Sequence, residues 1–187
     1  EVIFTSDANF IGTTFTSNAY FGEATFTNNA NFTEAVFIGA AYFSEATFTQ
    51  NARFSETAFA QVAHFSRATF EGLAGFRDVT FNAGAEFYGA SFVQTADFCD
   101  SSFMKSPPLF VAEGADSGEI RRARFAALSA GLEAHNFTVY EDSQPIPLGT
   151  AGLNGVGYRI PVGTVLFDPM SWDERQKEYT RLSEPAQ

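Results

Sequence analysis

With 187 residues, a formal net charge of −11 and one cysteine, the chain has room for one ordinary domain or a domain with a small companion. The charge argues against a surface that holds nucleic acid or anionic lipid directly, and the lone thiol, Cys99, excludes an intramolecular disulfide framework. No apolar run reaches the roughly eighteen residues of a membrane span and no signal peptide is visible; the chain opens at Glu1 already in repeat register, which reads as a trimmed start, and a cytoplasmic location is expected.

From Phe4 onward, phenylalanine stands at 4, 10, 15, 21, 26, 32, 37, 43, 48, 54, 59, 65, 70, 76, 81, 87, 92, 98 and 103, with gaps alternating six and five. The residue two positions earlier is Ala in fourteen of the nineteen units, so the small side chain partners the large one. An x-Ala-x-Phe unit has the period of two expected of a short strand with one buried side. On a helix, residues two apart would face different directions. A chain that turns a corner every five or six residues and buries Ala and Phe on each side forms a coil around a column of rings. Two sides per coil are too narrow for their own rings. Four sides are therefore expected, about 22 residues per coil with coils ~4.8 Å apart. The inserted residues of the longer links, Asp7, Asn18, Asn29, Ala40, Asn51, Val62, Leu73, Gly84 and Thr95, include several types that tolerate left-handed backbone, and are expected to form the corners.

Ala8-Asn9-Phe10, Ala30-Asn31-Phe32 and Ala96-Asp97-Phe98 resemble the unit of the pentapeptide-repeat family, A(D/N)LXX with Leu or Phe at its centre. The resemblance covers residues 2–104 and departs from the strict five-residue rule by one extra residue in alternate units. It implies a mainly β fold, a right-handed quadrilateral β-helix with four Phe-lined sides. Some members of that family mimic duplex DNA and bind DNA gyrase, which the resemblance raises as an alternative role here.

A register of 22 assigns the outward columns. One face carries Ile3, Thr25, Thr47, Thr69 and Ser91, and the opposite one Thr14, Val36, Ala58, Thr80 and Ser102; β-branched residues fit an exposed pleat. An ice-binding reading of the Thr rows is weakened at Glu71, where a charge interrupts the plane, and stays a minor option. One corner stacks Gly12, Glu34, Glu56, Asp78 and Asp100. These carboxylates are either a solvated edge or a surface offered to a basic groove. A calcium site is disfavoured, because a single column supplies few of the six to eight oxygens such a cage needs. The other corner, Glu23, Glu45, Arg67 and Gly89, mixes signs. Tyr20, Tyr42 and His64 form an aromatic column that stacks on itself or anchors a partner.

Composition breaks at Lys105-Ser106-Pro107-Pro108: residues 1–104 hold nineteen of the 23 Phe and no Pro, and the remainder holds all seven Pro and seven of the eight Leu. The expected division is a β-helix over 1–104, a linker over 105–116 and an α+β cap over 117–187. Asp116-Ser117-Gly118-Glu119 has capping-box spacing, and Ile120, Phe125, Leu128 and Leu132 follow on one stripe. A helix over about 117–135 is predicted, closing the last coil, with His135 near its end and Arg121, Arg122 and Arg124 pairing with Asp78 and Asp100, left solvated, or contacting a partner's carboxylates. Strands are predicted over 137–140 and 160–167. Ser171-Trp172-Asp173-Glu174 repeats the capping signal, and Trp172, Tyr179 and Leu182 form a second amphipathic stripe. That stripe either packs on the strands of its own block or meets a partner or second subunit.

No Gly-rich phosphate loop, HExxH, paired-Cys spacing or nucleophile elbow is present. Asn31-Phe32-Thr33 and Asn136-Phe137-Thr138 are glycosylation sequons if the chain is secreted in a eukaryote. The sequence points to a non-enzymatic scaffold for protein interaction or self-assembly, a homodimer or larger, with no cofactor, no metal and no direct nucleic-acid contact. Its candidate contact residues are Glu34, Glu56, Asp78, Asp100, Tyr20, Tyr42, Trp172 and Tyr179. The alternative is an acidic DNA mimic that modulates DNA gyrase or another topoisomerase.

Overall fold

A computed structural model describes residues 2–114, 118–128 and 134–187. Nineteen two-residue strands, from Ile3–Phe4 to Ser102–Phe103, stack into four parallel sheets. Partners lie 22 residues apart: Phe4 with Phe26, Ala8 with Ala30, Thr14 with Val36, and Ala19 with Ala41. These four pairings define a first, second, third and fourth face, which the chain visits in that order on every coil. The expected four-sided coil of 22 residues is therefore the fold.

Inside, Ala and Phe from every face point to the axis and are buried from Ala24 onward almost without exception. Rings of one face stack at the strand spacing: Phe32, Phe54, Phe76 and Phe98 follow one another at 4.9, 5.0 and 4.9 Å, within 5° of parallel. Rings of facing columns meet edge-on, as Phe43 and Phe54 do at 5.3 Å and 84°. Backbone pairing sets the first spacing, and the ring quadrupole favours the second arrangement, with a positive edge against a negative face. The first coil is less enclosed, with Phe4, Phe10, Phe15 and Phe21 only partly buried.

The corners are of two kinds. In the five-residue links other than that after Phe76, the amide three residues after the Phe donates to the Phe carbonyl, as Thr13 does to Phe10 at 3.1 Å and Ala35 to Phe32 at 2.9 Å. The residue two after the Phe is left-handed: Gly12, Glu34, Glu56, Asp78 and Asp100 at φ 62, 59, 58, 56 and 57°, and Glu23, Glu45, Arg67 and Gly89 at 56, 62, 60 and 74°. This is the geometry of a type II turn, which needs positive φ at its third residue. It corrects the corner assignment made from sequence: the inserted residues of the six-residue links have ordinary φ, because one more residue spreads the bend. The Asp and Asn there bond along the axis instead, Asp7 Oδ1 accepting from the Asn29 amide, Asn18 Oδ1 from Ala40 and Asn51 Oδ1 from Leu73, each at 3.1 Å.

Beyond Phe103 the coil continues. Leu109 bridges to Glu86, Asn136 to Asp97 and Val139 to Ser101, and strand Arg124–Ala126 adds to the first face beside Ser91–Phe92. Phe110 stacks on Phe87 at 5.4 Å, Phe125 on Phe92 at 4.9 Å and Phe137 on Phe98 at 6.0 Å. Strand Val165–Phe167 pairs next on the first face, with Leu166 fully buried where a Phe would stand. The predicted helix over 117–135 is not formed in its described part. Ile120–Arg122 pairs antiparallel with Val111–Glu113, and Arg124–Ala126 is a strand; residues 117 and 129–133 of that prediction lie outside the described residues. The edge of the fifth coil presents open backbone groups, and Ala123-Arg124-Phe125 satisfies them, with the Arg124 amide donating to the Ala90 carbonyl at 2.8 Å. A helix bonds to itself and leaves such an edge unpaired.

The remaining predictions shift in the same direction. Residues 137–140 contribute only the Val139 bridge, and the strand expected over 160–167 splits at Gly163 (φ 78°) into the end of Val156–Pro161, paired antiparallel with Leu148–Leu153, and Val165–Phe167. The second helical stripe is a 3-10 turn at Pro169–Ser171 followed by a hairpin of Trp172–Asp173 and Glu178–Tyr179. Its cap is Asp168, whose Oδ1 accepts from the Met170 amide at 2.8 Å. The described part of the C-terminal block is β apart from that one turn, in place of the expected α+β cap.

Candidate functional site

The sequence-derived candidates fall on three separate surfaces. Glu34, Glu56, Asp78 and Asp100 are exposed in one column at the corner between the second and third faces. With coils about 5 Å apart, as the Phe54–Phe76 spacing of 5.0 Å shows, they form a line of like charge. Among the described residues no cation pairs with Glu34, Glu56 or Asp78, whereas Glu45 on the diagonally opposite corner is bridged to Arg67 at 3.0 Å. Asp100 accepts from the Cys99 thiol at 3.1 Å. That bond, followed by burial, pushes the thiol above its ordinary pKa, so Cys99 is a weak nucleophile. Arg77 reaches Asp97 at 3.3 Å, and that carboxylate is the main cause of its raised pKa.

The arginines expected to meet this column do not reach it. Arg122 donates to the Gly163 carbonyl at 2.7 Å and Arg124 to the Ser91 hydroxyl at 3.2 Å. Arg121, Arg122 and Arg124 line a cleft with Arg67 and Gly89, at the corner between the fourth and first faces. The coil stands between them and Asp78 and Asp100.

Tyr20 and Tyr42 share the fourth face. Their rings stack at 4.9 Å and 5°, and Tyr42 stacks on His64 at 4.8 Å. His64 Nδ1 and Glu86 Oε2 lie 2.8 Å apart, so the column ends on a carboxylate. Asn18 donates to the Tyr20 hydroxyl at 3.2 Å.

Trp172 and Tyr179 face each other across the C-terminal hairpin, 4.9 Å apart, and Tyr179 lies over Phe167 at 4.1 Å. With Thr69, Glu71, Ser91 and Arg124 they line a groove of about 560 Å³ against the first face. Burial, and after it the charge of Glu71, raises the Tyr179 phenol above its usual pKa. Sequence reasoning placed the two aromatics together but missed Glu71 and Arg124. The available signal was Glu71 itself, the charge that breaks the Thr column where the hairpin crosses it.

His135, expected at a helix end, is a structural acceptor. On the second face, the amides of Ala8, Ala30, Ala52 and Ala74 each donate to a carbonyl of the next coil. Ala96 donates instead to His135 Nδ1 at 3.0 Å, and the opposite ring nitrogen, Nε2, lies 3.0 Å from the Ala126 carbonyl. An Nδ1 acceptor with an Nε2–H donor is the neutral tautomer that satisfies both bonds, and burial lowers the ring's pKa below the usual histidine range.

Among the described residues no helix is long and apolar enough to cross a membrane. Residues 21–69 match the family described as pentapeptide repeats (9 copies). No curated protein and no solved structure matches the chain at a significant level.

Proposed function

We propose that this chain, whose repeats are those of the pentapeptide-repeat family, serves as a non-enzymatic scaffold that presents fixed outward columns to a protein partner. The observation that carries this reading is the column Glu34, Glu56, Asp78 and Asp100. Each residue is exposed at a left-handed position where Gly or Asn fits the backbone best, so the turn itself does not call for a carboxylate. A charge that the backbone does not require and that no cation of the described residues neutralises at Glu34, Glu56 or Asp78 is available to a basic surface on another molecule.

Charge density favours this over the DNA-mimic alternative. One carboxylate per coil is one charge per 5.0 Å of ring spacing, sparser than the ~3.4 Å per phosphate along a single DNA strand. Among the described residues, the second left-handed corner column is interrupted by Arg67 and Gly89. Affinity capture from the source cells, comparing wild type with the variant carrying Ala at Glu34, Glu56, Asp78 and Asp100, tests the reading. Ala keeps the same left-handed cost, so only the charge changes. A specific partner held by wild type and lost by the variant supports the scaffold. The same partner on both proteins sinks the role of the column. A topoisomerase released steeply by salt moves the conclusion to the mimic.

A further inference from the structure

Residues 1–104 carry three bases against eleven acids, yet one corner gathers positive charge. Arg67, Arg121, Arg122 and Arg124 line a cleft of about 500 Å³. Arg67 is bridged to Glu45 at 3.0 Å and is neutralised. Arg122 and Arg124 are fixed by neutral acceptors, the Gly163 carbonyl at 2.7 Å and the Ser91 hydroxyl at 3.2 Å, which position both guanidiniums without cancelling their charge. The fit at Gly163 is close: a Cβ there would lie 3.2 Å from Val111 Cγ2 and 3.5 Å from Arg122 Nη1. Among the described residues no hydrogen bond or ion pair occupies the Arg121 side chain. One carboxylate among the described residues, Glu119, lines the cleft. Counted against Arg121, Arg122 and Arg124, it leaves two positive charges. The described lining contains no lysine, and guanidinium forks suit bidentate capture of oxyanions. Ile120 and Leu182, both about half exposed at 52 and 49%, supply an apolar wall.

We infer that this cleft is a binding site for a small phosphate monoester. Its dianion, about −1.5 to −2 at neutral pH, balances the two-charge excess, and its organic part lies against Ile120 and Leu182. A volume of 500 Å³ is within the ~300–1,000 Å³ of small-molecule sites. The site is on the corner diagonally opposite the carboxylate column, so failure of either proposal leaves the other standing.

Calorimetric titration of the whole chain at low ionic strength, with phenyl phosphate, inorganic phosphate and phenol as probes, tests the site. Phenyl phosphate is expected to bind more tightly than inorganic phosphate, with phenol showing no binding, and added salt should weaken both phosphates. Arg121→Gln is the decisive variant, because among the described residues the Arg121 side chain makes no hydrogen bond or ion pair and its strand pairing with Ala112 runs through the backbone, so the fold is expected to stay intact, as an unchanged melting curve would show. It should weaken phenyl phosphate at least about tenfold, the loss of one charge-assisted bond, and Arg121→Lys should recover only part of that. Arg53→Gln, on the second face, should change nothing. Absence of binding by both phosphates, affinity untouched by Arg121→Gln, or an equal effect of Arg53→Gln would overturn the site. Phenyl phosphate binding no better than inorganic phosphate, or no better than phenol, would overturn the assignment to a phosphate monoester.

Discussion

At the tight corners, side chain and backbone are at odds. A non-glycine residue in the left-handed region costs about 1–2 kcal/mol, and Glu34, Glu45, Glu56 and Asp78 all sit there. Glycine removes that cost but returns about 0.4–1 kcal/mol to the unfolded chain as entropy. Glu56→Gly is therefore expected to be as stable as wild type or up to about 1 kcal/mol more stable in urea unfolding, whereas Glu56→Val, β-branched in the same geometry, should lose stability. A destabilised glycine variant would show that the Glu56 side chain makes a stabilising contact. The second residue-scale expectation concerns His135. Its folded pKa lies below the usual value, so the unfolded chain takes up the proton first. Stability from the neutral ring is complete above about pH 6.5 and is lost as pH falls through the folded value. Wild type should therefore melt at lower temperature at pH 5.5 than at 7.5. His135→Gln, which keeps a carbonyl acceptor for Ala96 but does not titrate, should show no drop between those values. The sequence did carry a sign of this region at the same scale. Asn136-Phe137-Thr138 repeats Asn31-Phe32-Thr33, and in both the Asn Oδ1 accepts from the Thr amide at 3.0 Å. Read as glycosylation sequons, the two triplets hid a repeat unit.

Among elements, the repeat block was legible because each unit is short, local and repeated. Ala two before Phe fixes which side is buried, and the alternating gap fixes how many corners close a coil. The later coil was not legible because its units, around Phe110, Phe125 and Phe137, are separated by insertions that erase the period. The helix predicted from the capping-box spacing is overruled in its described part for a physical reason: Ile120–Arg122 and Arg124–Ala126 pair with neighbouring strands, satisfying edge groups that a helix would leave open. Of the candidate contacts, the carboxylate and Tyr columns followed from register, whereas the Trp172 groove needs long-range pairing that no local pattern encodes. The ring columns also set an expected gradient. Phe54, fully buried between coils, should cost about 3–5 kcal/mol on replacement by Ala. Phe10, partly buried in the first coil, should cost clearly less. Equal losses in denaturant titration would mean that the first coil is as enclosed as the middle.

At the scale of the whole repeat block, strand pairings run between coils 22 residues apart, so its stability is a chain of neighbour terms. Amide exchange is expected to be slowest in the middle coils and fastest in the first, where Phe4, Phe10, Phe15 and Phe21 remain partly open. Removing residues 105–187 strips Phe110, Phe125 and Phe137 from the rings below them and exposes four parallel edges at once. The truncated chain should self-associate in sedimentation, because an open strand edge pairs with whatever edge it meets. A truncated chain that stays monomeric would show that the C-terminal block is not needed to protect that end.

The alternation of tight and wide corners gives the coil a hidden two-fold character. Half a coil, eleven residues, already contains one corner of each kind, so the first and third faces are interchangeable to the interior, as are the second and fourth. Excising residues 33–43 would join Phe32 to Ser44 and keep every remaining ring, Ala and turn in phase. Outside, the same excision advances all later faces by half a revolution. Glu45, Arg67 and Gly89 would follow Gly12 on one corner, while Glu56, Asp78 and Asp100 would line up behind Glu23 on the other. The interior cannot sense a half-coil slip in copy number, and the exterior is rewritten by it.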